Sequence, residues 1–450
     1  MASYNPNPPV HGNPFIDIPS DTDSNPFRWV NEDILSVFRL SRLLPLIFLP
    51  LRSFKSGSAD ELYPSLRNLR DLTLHSILVI SQIFFLISLP FTFATLWAVP
   101  FIVHAVFYAV FALFTAALVR LLNGPPSGRS LIGVPTSRQP VNDERELWFF
   151  INGIATGTHW HQSNLNILAE TFGRQIVGIH NPTKGLILDI IECLIQRDLD
   201  YKTADIRQGR AQLRAALAAP STQKVVLIAH SQGGIIAASI LDWLYGELGH
   251  RELRKLEVYT FASAGRALRN PPLRDLGDFG GNTGGGGGHH EHEHEDETEN
   301  ENEHEHGLEH DNPGLGEMAM PGHRRGEGPG RVDRVLRYVE HYANTKDFVS
   351  NIGVLRFTSP AAAYLNGSLF SGSVFVREGS GHLLNMHYLN TMFGEESGFM
   401  DRMVDLPVKG LDGVERIMQR PLGDLSRLWK YRDGDSPDED EIAMEFKDAE

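Results

Sequence analysis

The chain has 450 residues, of which 42% are hydrophobic and 22% are charged, a composition typical of a folded protein that carries some unfolded segments. Its formal net charge of -15 would suggest a basic partner, but the acidic residues are concentrated in a His/Glu tract around 289–311 and in the tail after Asp433. No basic stripe interleaved with aromatic residues is present, which leaves nucleic-acid binding with little support. Cys193 is the only cysteine, which excludes an intrachain disulfide and fits a reducing compartment.

The N-terminal segment 1–33 is predicted to be disordered, because Pro and Asn recur too often for a helix. It shows no secretory signal peptide. It contains Asn13-Pro14-Phe15 and Asn25-Pro26-Phe27, which are similar to ligands of endocytic EH-type adaptor domains, although Asn-Pro turns are frequent in any Pro-rich tail. In 34–71, apolar residues are punctuated by arginines, which predicts either an amphipathic helix in the lipid headgroup region or a helix packed on the globular domain.

Two transmembrane helices are predicted within 72–122. From Leu72 to Val119 the chain has no Asp, Glu, Lys or Arg, and a helix of that length would measure about 70 Å, about twice a bilayer core of roughly 30 Å. Two spans near 74–95 and 99–119 fit better, although a single long span or a hairpin in one leaflet stays open. Basic residues flank the pair on both outer sides, so we expect an integral membrane protein whose catalytic domain faces the cytoplasm.

The rest of the chain predicts an α/β fold, a mostly parallel sheet with helices on both faces, because short β-branched or aromatic runs alternate with helical stretches. Its two parts are 140–276 and 332–430. Between them, 277–331 is rich in Gly, His and Glu and is predicted to be a disordered insert, a flexible acidic spacer more than a metal site. The acidic tail 433–450 is predicted to be disordered as well.

A serine nucleophile is predicted at Ser231. Lys224 to Gly234 gives an apolar strand, the turn His-Ser-Gln-Gly-Gly and then an apolar helix, the context of a nucleophile elbow in which the serine hydroxyl is exposed above the sheet. Ala229 and Gly233 occupy the glycine positions of the G-x-S-x-G motif. The alanine adds only a methyl group, so we expect it to be tolerated.

A serine hydroxyl needs a general base and an orienting carboxylate. Asp347 follows the strand RVLRYVEHYAN, and His382 lies on a glycine-rich loop after the strand SGSVFVRE, so both are predicted at the ends of later strands. Three alternatives stay open: His387 competes with His382 for the role of base, and Asp275 and Asp278 compete with Asp347 for the role of acid. His387 is less favoured because it lies within the following helix, and the two aspartates because they adjoin the insert.

The oxyanion of an acyl-transfer reaction needs backbone N–H donors. One is expected from Gln232, which follows the nucleophile. The second is expected from the loop Asn152 to Gly157, as the amide of Gly153 or Ile154. The sequence HWH that follows this loop is expected to be mainly structural, with a pocket-lining role as the alternative.

With these residues placed, the segment 146–394 resembles serine lipases and esterases of the α/β-hydrolase superfamily, particularly fungal-type and DUF676-like branches. VYTFAS and NTKDFV are similar to strand and acid-loop motifs of class 3 lipases. The resemblance implies Ser231 as nucleophile, Asp347 as acid and His382 as base, with no metal or organic cofactor. A membrane-anchored enzyme would meet lipid esters as substrates. An inactive hydrolase-fold membrane scaffold and an acyltransferase or thioesterase with the same triad are the alternatives.

Overall fold

The computed structural model describes residues 3–6, 26–51, 54–125, 130–141, 143–272, 334–358, 369–409 and 415–438. The chain divides into a main unit, Met1–Pro271 with Val335–Glu450, and a second unit, Pro272–Arg334. Of the second unit the structure describes Pro272 and Arg334, so the predicted insert 277–331, Asp275 and Asp278 lie outside the described residues. All the described helices and strands lie in the main unit.

An eight-stranded mixed sheet forms the centre of the main unit, in the order β1-β8-β7-β6-β5-β3-β4-β2. The six inner strands run parallel, and the short edge strands β1 and β2 pair antiparallel to them. The sequence does not predict the edge strands or the separate hairpin β9–β10. It predicts each of the six inner strands, within the runs ELWFFINGI, QIVGIHN, KVVLIAH, KLEVYTFAS, RVLRYVEHYAN and GSVFVRE. The strands are β1 (Ser3–Pro6), β2 (Ile132–Gly133), β3 (Glu146–Ile151), β4 (Ile176–Ile179), β5 (Lys224–His230), β6 (Leu256–Phe261), β7 (Tyr338–Asn344), β8 (Ser373–Arg377), β9 (Met403–Lys409) and β10 (Glu415–Pro421).

Helices cover both faces of the sheet, which makes the fold α/β as predicted. Successive side chains of a strand point to opposite faces: Phe149 and Ile151 of β3 pack in one core, and Trp148 and Phe150 pack in the other. Strands buried on both faces explain the continuous apolar runs in the sequence. The helices are α1 (Pro26–Leu40), α2 (Leu66–Thr95), α3 (Phe101–Asn123), α4 (Thr158–Phe172), α5 (Leu186–Leu199), α6 (Ala204–Ala218), α7 (Gln232–Glu247), α8 (His250–Leu253), α9 (Phe348–Ile352), α10 (Val354–Phe357), α11 (Leu384–Phe393, of π type) and α12 (Leu422–Leu425).

The N-terminal region is more ordered than its composition suggests. Helix α1 begins at Pro26, inside the segment 1–33 that was expected to be disordered. It docks on the domain through the buried Asp33 carboxylate, which lies 3.0 Å from Arg197 Nε and 2.8 Å from Arg356 Nη1. Part of 34–71 therefore packs on the globular domain, the second of the two arrangements that the sequence left open. Asn13-Pro14-Phe15 lies outside the described residues, and Pro26 and Phe27 are the first residues of α1.

Helices α2 and α3, with 30 and 23 residues, are long and apolar enough to cross a membrane by length and composition. They contact each other through polar pairs near their shared turn, Thr92 Oγ1 with Tyr108 Oη at 2.5 Å and Thr95 Oγ1 with His104 Nε2 at 3.1 Å. One stripe of α2 is buried, and it holds polar residues that bond to the domain. The stripe consists of Asn68, Asp71, His75, Leu78 and Gln82.

The first residues of the acidic tail 433–450 are also ordered. A 3-10 turn, Trp429–Gly434, buries Tyr431 against the core. The Arg174 guanidinium then donates to the Asp435 carbonyl at 2.8 Å and to Ser436 Oγ at 2.7 Å. Residues 439–450 lie outside the described part of the chain, so disorder there stays a prediction.

Candidate active site

Ser231 sits at the sharp turn between β5 and α7. Its φ of 58° is a conformation that non-glycine residues rarely adopt and that is typical of a strained functional turn. The turn is held on both sides, because the Ser231 N–H donates to Phe261 O at 3.0 Å and the Ser231 carbonyl accepts from Gly234 N and Ala264 N. A Cβ at Gly233 would lie 2.5 Å from Ile151 O, so the small residue after the turn is a steric requirement.

The structure brings Ser231, His382 and Asp347 together. His382 Nε2 lies 3.0 Å from Ser231 Oγ, and His382 Nδ1 lies 3.0 Å from Asp347 Oδ2. Ser231 follows β5, Asp347 follows β7 and His382 follows β8, so three parallel strands deliver the side chains to the same edge of the sheet. The arrangement can move the Ser231 proton to an imidazole that a carboxylate orients.

Asp347 is buried and surrounded by donors. Its Oδ1 accepts from Val349 N at 2.9 Å, and its Oδ2 accepts from Tyr388 Oη at 2.7 Å and Ser350 Oγ at 3.1 Å. Burial raises the pKa of Asp347, but the neighbouring His382 and these hydrogen bonds outweigh it, so the pKa is lowered from its usual value. The carboxylate is therefore charged at neutral pH and holds the imidazole in place.

A second imidazole supports the first. The His230 ring lies 4.8 Å from the His382 ring, centroid to centroid, and its Nε2–H donates to the His382 carbonyl at 2.9 Å. Burial, with a smaller effect of His382, lowers the pKa of His230 to about 3. The ring is neutral at physiological pH, so it positions the loop of His382 and is not itself suited to be the base.

His387, the rival base, is engaged elsewhere. Its Nε2–H donates to the Pro50 carbonyl at 3.0 Å, and its Nδ1 accepts from Leu383 N at 3.2 Å. Because both ring nitrogens are hydrogen-bonded to backbone groups, His387 fixes the start of α11. The histidine within reach of Ser231 Oγ is His382.

The loop after β3 lies against the nucleophile. A Cβ at Gly153 would be 2.6 Å from Ser231 Cβ and 3.1 Å from Ser231 Oγ, so this glycine is required by close approach. Within the described residues, the backbone N–H groups of Gln232 and Ile154 donate no hydrogen bond, which leaves both free for an anionic oxygen. Of the three residues predicted for the oxyanion hole, Gly153 and Gln232 therefore border Ser231, and Ile154 directly follows Gly153.

An amide network that the sequence did not reveal ties this loop to the elbow. Asn152 Oδ1 accepts from Asn181 N at 2.9 Å, and Asn181 Nδ2 donates to Gln232 Oε1 at 2.5 Å. Gln232 Nε2 in turn donates to Gln196 Oε1 of α5 at 2.9 Å. These side chains come from four separate segments, and the one local hint was the Asn152-Gly153 pair at a strand end.

The site is closed in this structure. Ser231 is 2% exposed and His382 is 7% exposed. The 3-10 segment Ser41–Ile47 covers them, since the Ile47 carbonyl accepts from His382 N at 3.0 Å. Apolar side chains of this segment and of α1 pack on those beside the site, namely Leu40, Leu43 and Ile47 on Ile235, Phe348 and Val349.

The residues that follow the predicted oxyanion loop, 152–157, attach the domain to α2. His159 Nδ1 lies 3.0 Å from Asp71 Oδ2, and Trp160 Nε1 donates to Asn68 Oδ1 at 3.0 Å. His161 is buried in a stack with Phe150. Their contacts are structural, as the sequence favoured. Among the described residues no three His, Cys, Asp or Glu side chains are grouped to hold a metal ion, and the His/Glu tract lies outside them.

Comparisons with known proteins add little. No family model and no curated protein matches the chain. Among the solved structures with some similarity is a Trichoderma reesei cutinase in complex with a C11Y4 phosphonate inhibitor, at 17% identity. The match covers 27% of this chain and 54% of the cutinase, about half its length, with a TM-score of 0.20. A likeness this small carries no functional argument, which must come from the geometry of the site.

Proposed function

We propose that the chain is a serine ester hydrolase with an α/β-hydrolase fold, in which Ser231 is the nucleophile, His382 the general base and Asp347 the orienting acid. The observation that carries the proposal is the pair of 3.0 Å contacts that join Ser231 Oγ, His382 and Asp347 at a strained strand-to-helix turn. A structural ion pair would require neither the positive φ of the serine nor free amides beside it.

In the proposed reaction, His382 Nε2 takes the proton of Ser231 Oγ as the oxygen forms a bond to the ester carbonyl carbon. The carbonyl oxygen becomes an anion that the amides of Gln232 and of Ile154 or Gly153 stabilise. When the tetrahedral intermediate collapses, the alcohol leaves with the proton from His382. Water then attacks the acyl-serine, giving one proton to His382 and releasing the carboxylic acid as Ser231 regains its hydrogen. No step requires a cofactor.

We further propose that the substrate is a lipid ester and that α2 and α3 insert into a membrane with the domain on its cytoplasmic side. Support comes from the length and apolarity of both helices, from the basic residues outside each end, and from the hydrogen bonds of α2 to the domain. Because Asn68 and Asp71 of α2 bond to residues of α4, an inserted hairpin would hold the domain at the lipid surface.

Labelling with a fluorophosphonate probe tests the enzymatic part. We expect the wild-type chain and Ser239→Ala to label, and Ser231→Ala to lose the label. Ser239 is the matched control because it is another buried serine, on the helix α7 that follows Ser231. Equal labelling of the Ser231→Ala variant and the wild type would refute the hydrolase and favour a scaffold that keeps the fold.

Topology is tested by glycosylation sites placed in the turn 95–100 and after residue 130. If the domain faces the cytoplasm, the site after 130 stays unmodified in a microsomal membrane. Modification at that site would contradict the cytoplasmic placement while leaving the chemistry of Ser231 untouched.

A further inference from the structure

Helix α5 has the reverse of the pattern expected for a surface helix. Its buried residues are polar: Asp189, Gln196 and Asp198. Its exposed residues are all aliphatic, and they are Ile190 at 43%, Ile191 at 39%, Ile195 at 36% and Leu199 at 52% exposure. A helix on a soluble protein turns its apolar stripe toward the core. The outer surface of α5 therefore fits an apolar environment better than water.

The neighbouring helix α6 shows that this pattern is particular to α5. Residues exposed on α6 include Arg207, Gln208 and Arg214, while Ile206 and Leu213 are buried in the core. This is the ordinary polarity of a helix that faces water. The two helices follow one another in the chain and both cover the sheet. The difference in polarity between their exposed faces therefore indicates that these faces meet different surroundings.

Helix α5 contacts two helices that expose apolar side chains, α2 and α1. Gln82 of α2 bonds to the start of α5, accepting from Ile187 N at 3.1 Å and donating to Lys184 O at 2.7 Å. Helix α5 also contacts α1, whose own exposed residues include Leu35 and Phe38. Apolar side chains are thus exposed on three helices that contact one another in the order α2, α5 and α1.

The length of the hairpin sets where this surface would lie. Beyond Gln82, no residue from Ile83 to Thr95 is buried, so this part of α2 stands clear of the domain. It measures about 20 Å at about 1.5 Å per residue, whereas the hydrocarbon core of a bilayer is about 30 Å thick. Because this part of α2 is shorter than the hydrocarbon core, a hairpin inserted over that whole length would bring the surface at the level of Gln82, where α5 begins, into contact with lipid.

We propose that the aliphatic face of α5, formed by Ile190, Ile191, Ile195 and Leu199, docks into the lipid surface as a second membrane-contacting element beside the hairpin. The proposal rests on the membrane insertion of α2 and α3 that is part of the proposed function. Burial of four large aliphatic side chains in the interfacial region is favourable in proportion to their exposed apolar area. The occupant is lipid because α5 contacts the apolar helix α2 and because every exposed residue between Leu186 and Leu199 is aliphatic.

The docked helix would lie directly behind the oxyanion loop. From its inner side, the Asp189 carboxylate accepts from Ala155 N at 2.9 Å, and Gln196 accepts from the Gln232 side chain. One helix thus contacts lipid on its outer face and holds both sides of the site on its inner face.

Fluorescence quenching by lipid tests the proposal independently of catalysis. The full chain with Cys193→Ala would carry one added cysteine, Ile191→Cys, Ala215→Cys or Trp97→Cys, labelled with bimane. Each would be reconstituted at one copy per phosphatidylcholine nanodisc, with or without doxyl-labelled lipid. Ala215 is the matched control, an exposed residue of α6, and Trp97, in the turn between α2 and α3, reports insertion of the hairpin.

We expect doxyl lipid to reduce the emission of labels at 191 and 97 and to leave the label at 215 unchanged. Strongest quenching at 191 should come from doxyl groups near the headgroup, and at 97 from groups near the chain ends. Quenching at 97 without quenching at 191 would overturn the docking of α5 while the anchor stands. Absence of quenching at both would overturn the anchor and the docking together. If the emission of the label at 191 changes only when a nanodisc holds more than one copy of the chain, and not with doxyl lipid, the face is an interface between copies. That result would overturn lipid contact.

Discussion

Gly153→Ala is the substitution that most sharply tests the contact between the oxyanion loop and the nucleophile. The added Cβ would lie 2.6 Å from Ser231 Cβ, whereas carbon atoms in contact are normally about 3.5–4.0 Å apart. One of the two segments must therefore move by about 1 Å. Ser231 is held by three backbone hydrogen bonds, through its N–H and carbonyl, so we expect the loop of Gly153 to shift away from it.

A displacement of about 1 Å at a reacting group can lower a rate by about 100-fold, which corresponds to about 2.7 kcal/mol of transition-state stabilisation. The same overpacking should cost about 1–3 kcal/mol of folding stability. We expect kcat on a short-chain chromogenic ester to fall far more than the fraction of folded protein, as measured by thermal melting in detergent.

Gly246→Ala is the matched control. Gly246 lies on α7, the helix that follows Ser231, and a Cβ there meets nothing within 4 Å. Replacing a helical glycine by alanine is favourable by up to about 1 kcal/mol, so this variant should keep its activity and melt no lower. Full activity of Gly153→Ala, with Gly246→Ala also active, would refute the close contact and with it the position of the oxyanion hole.

Two further predictions concern buried groups around the His382 loop. Tyr388→Phe removes the 2.7 Å hydrogen bond to Asp347. Because a hydrogen bond to a charged group is worth about 1.5–3 kcal/mol, kcat should fall by about tenfold or more. A lowered melting temperature with unchanged kcat would make Tyr388 purely structural. Glu61, which accepts from Asn385 N and Met386 N, has its pKa raised by burial from 4.5 to about 7. The folded chain therefore binds this proton more tightly than the unfolded chain, and the wild-type free energy of unfolding should fall by up to about 3 kcal/mol as pH rises from about 4.5 through 7. Glu61→Gln should flatten that fall in melts across this pH range, and an unchanged slope would contradict the shift.

The inner strands and the three residues Ser231, Asp347 and His382 were accessible from the sequence because each depends on a local pattern. An apolar strand followed by a small-residue turn, or a polar residue directly after a strand, is visible within about ten residues. The order of parallel strands then brings such strand ends to one edge. Local patterning was thus sufficient for the centre of the sheet and for which side chains meet there.

The supporting residues were not accessible, because their roles depend on contacts between distant segments. In the sequence, Tyr388 lies among the apolar residues of a helix, yet its hydroxyl donates a hydrogen bond to Asp347. His230 reads as part of the elbow, yet its ring supports the main chain of His382. The cover formed by Ser41–Ile47 was equally invisible, since its apolar residues fitted a lipid surface as well as a protein surface.

Helix α5 shows a different limit of sequence interpretation. Its periodicity predicts a helix, and the structure has one at Leu186–Leu199. The same periodicity would ordinarily assign the isoleucines to the core and Asp189 to the surface. In the structure the isoleucines are exposed and Asp189 is buried, because the Asp189 and Gln196 side chains accept hydrogen bonds from Ala155, Thr183 and Gln232. Polarity alone could not show which face meets the protein.

The central claim is that Ser231, His382 and Asp347 act as one catalytic unit, and kinetics on a short-chain ester test it most directly. Ser231→Ala, His382→Ala, Asp347→Asn, the triple variant and His387→Ala would be compared side by side with the wild type. Groups that act as a unit are strongly non-additive, so each of the first three should lower kcat by about 10⁴ or more and the triple variant should be no slower than Ser231→Ala. His387→Ala should retain most of its activity relative to these three. Wild-type rates for Ser231→Ala, or a loss confined to His387→Ala, would contradict the account.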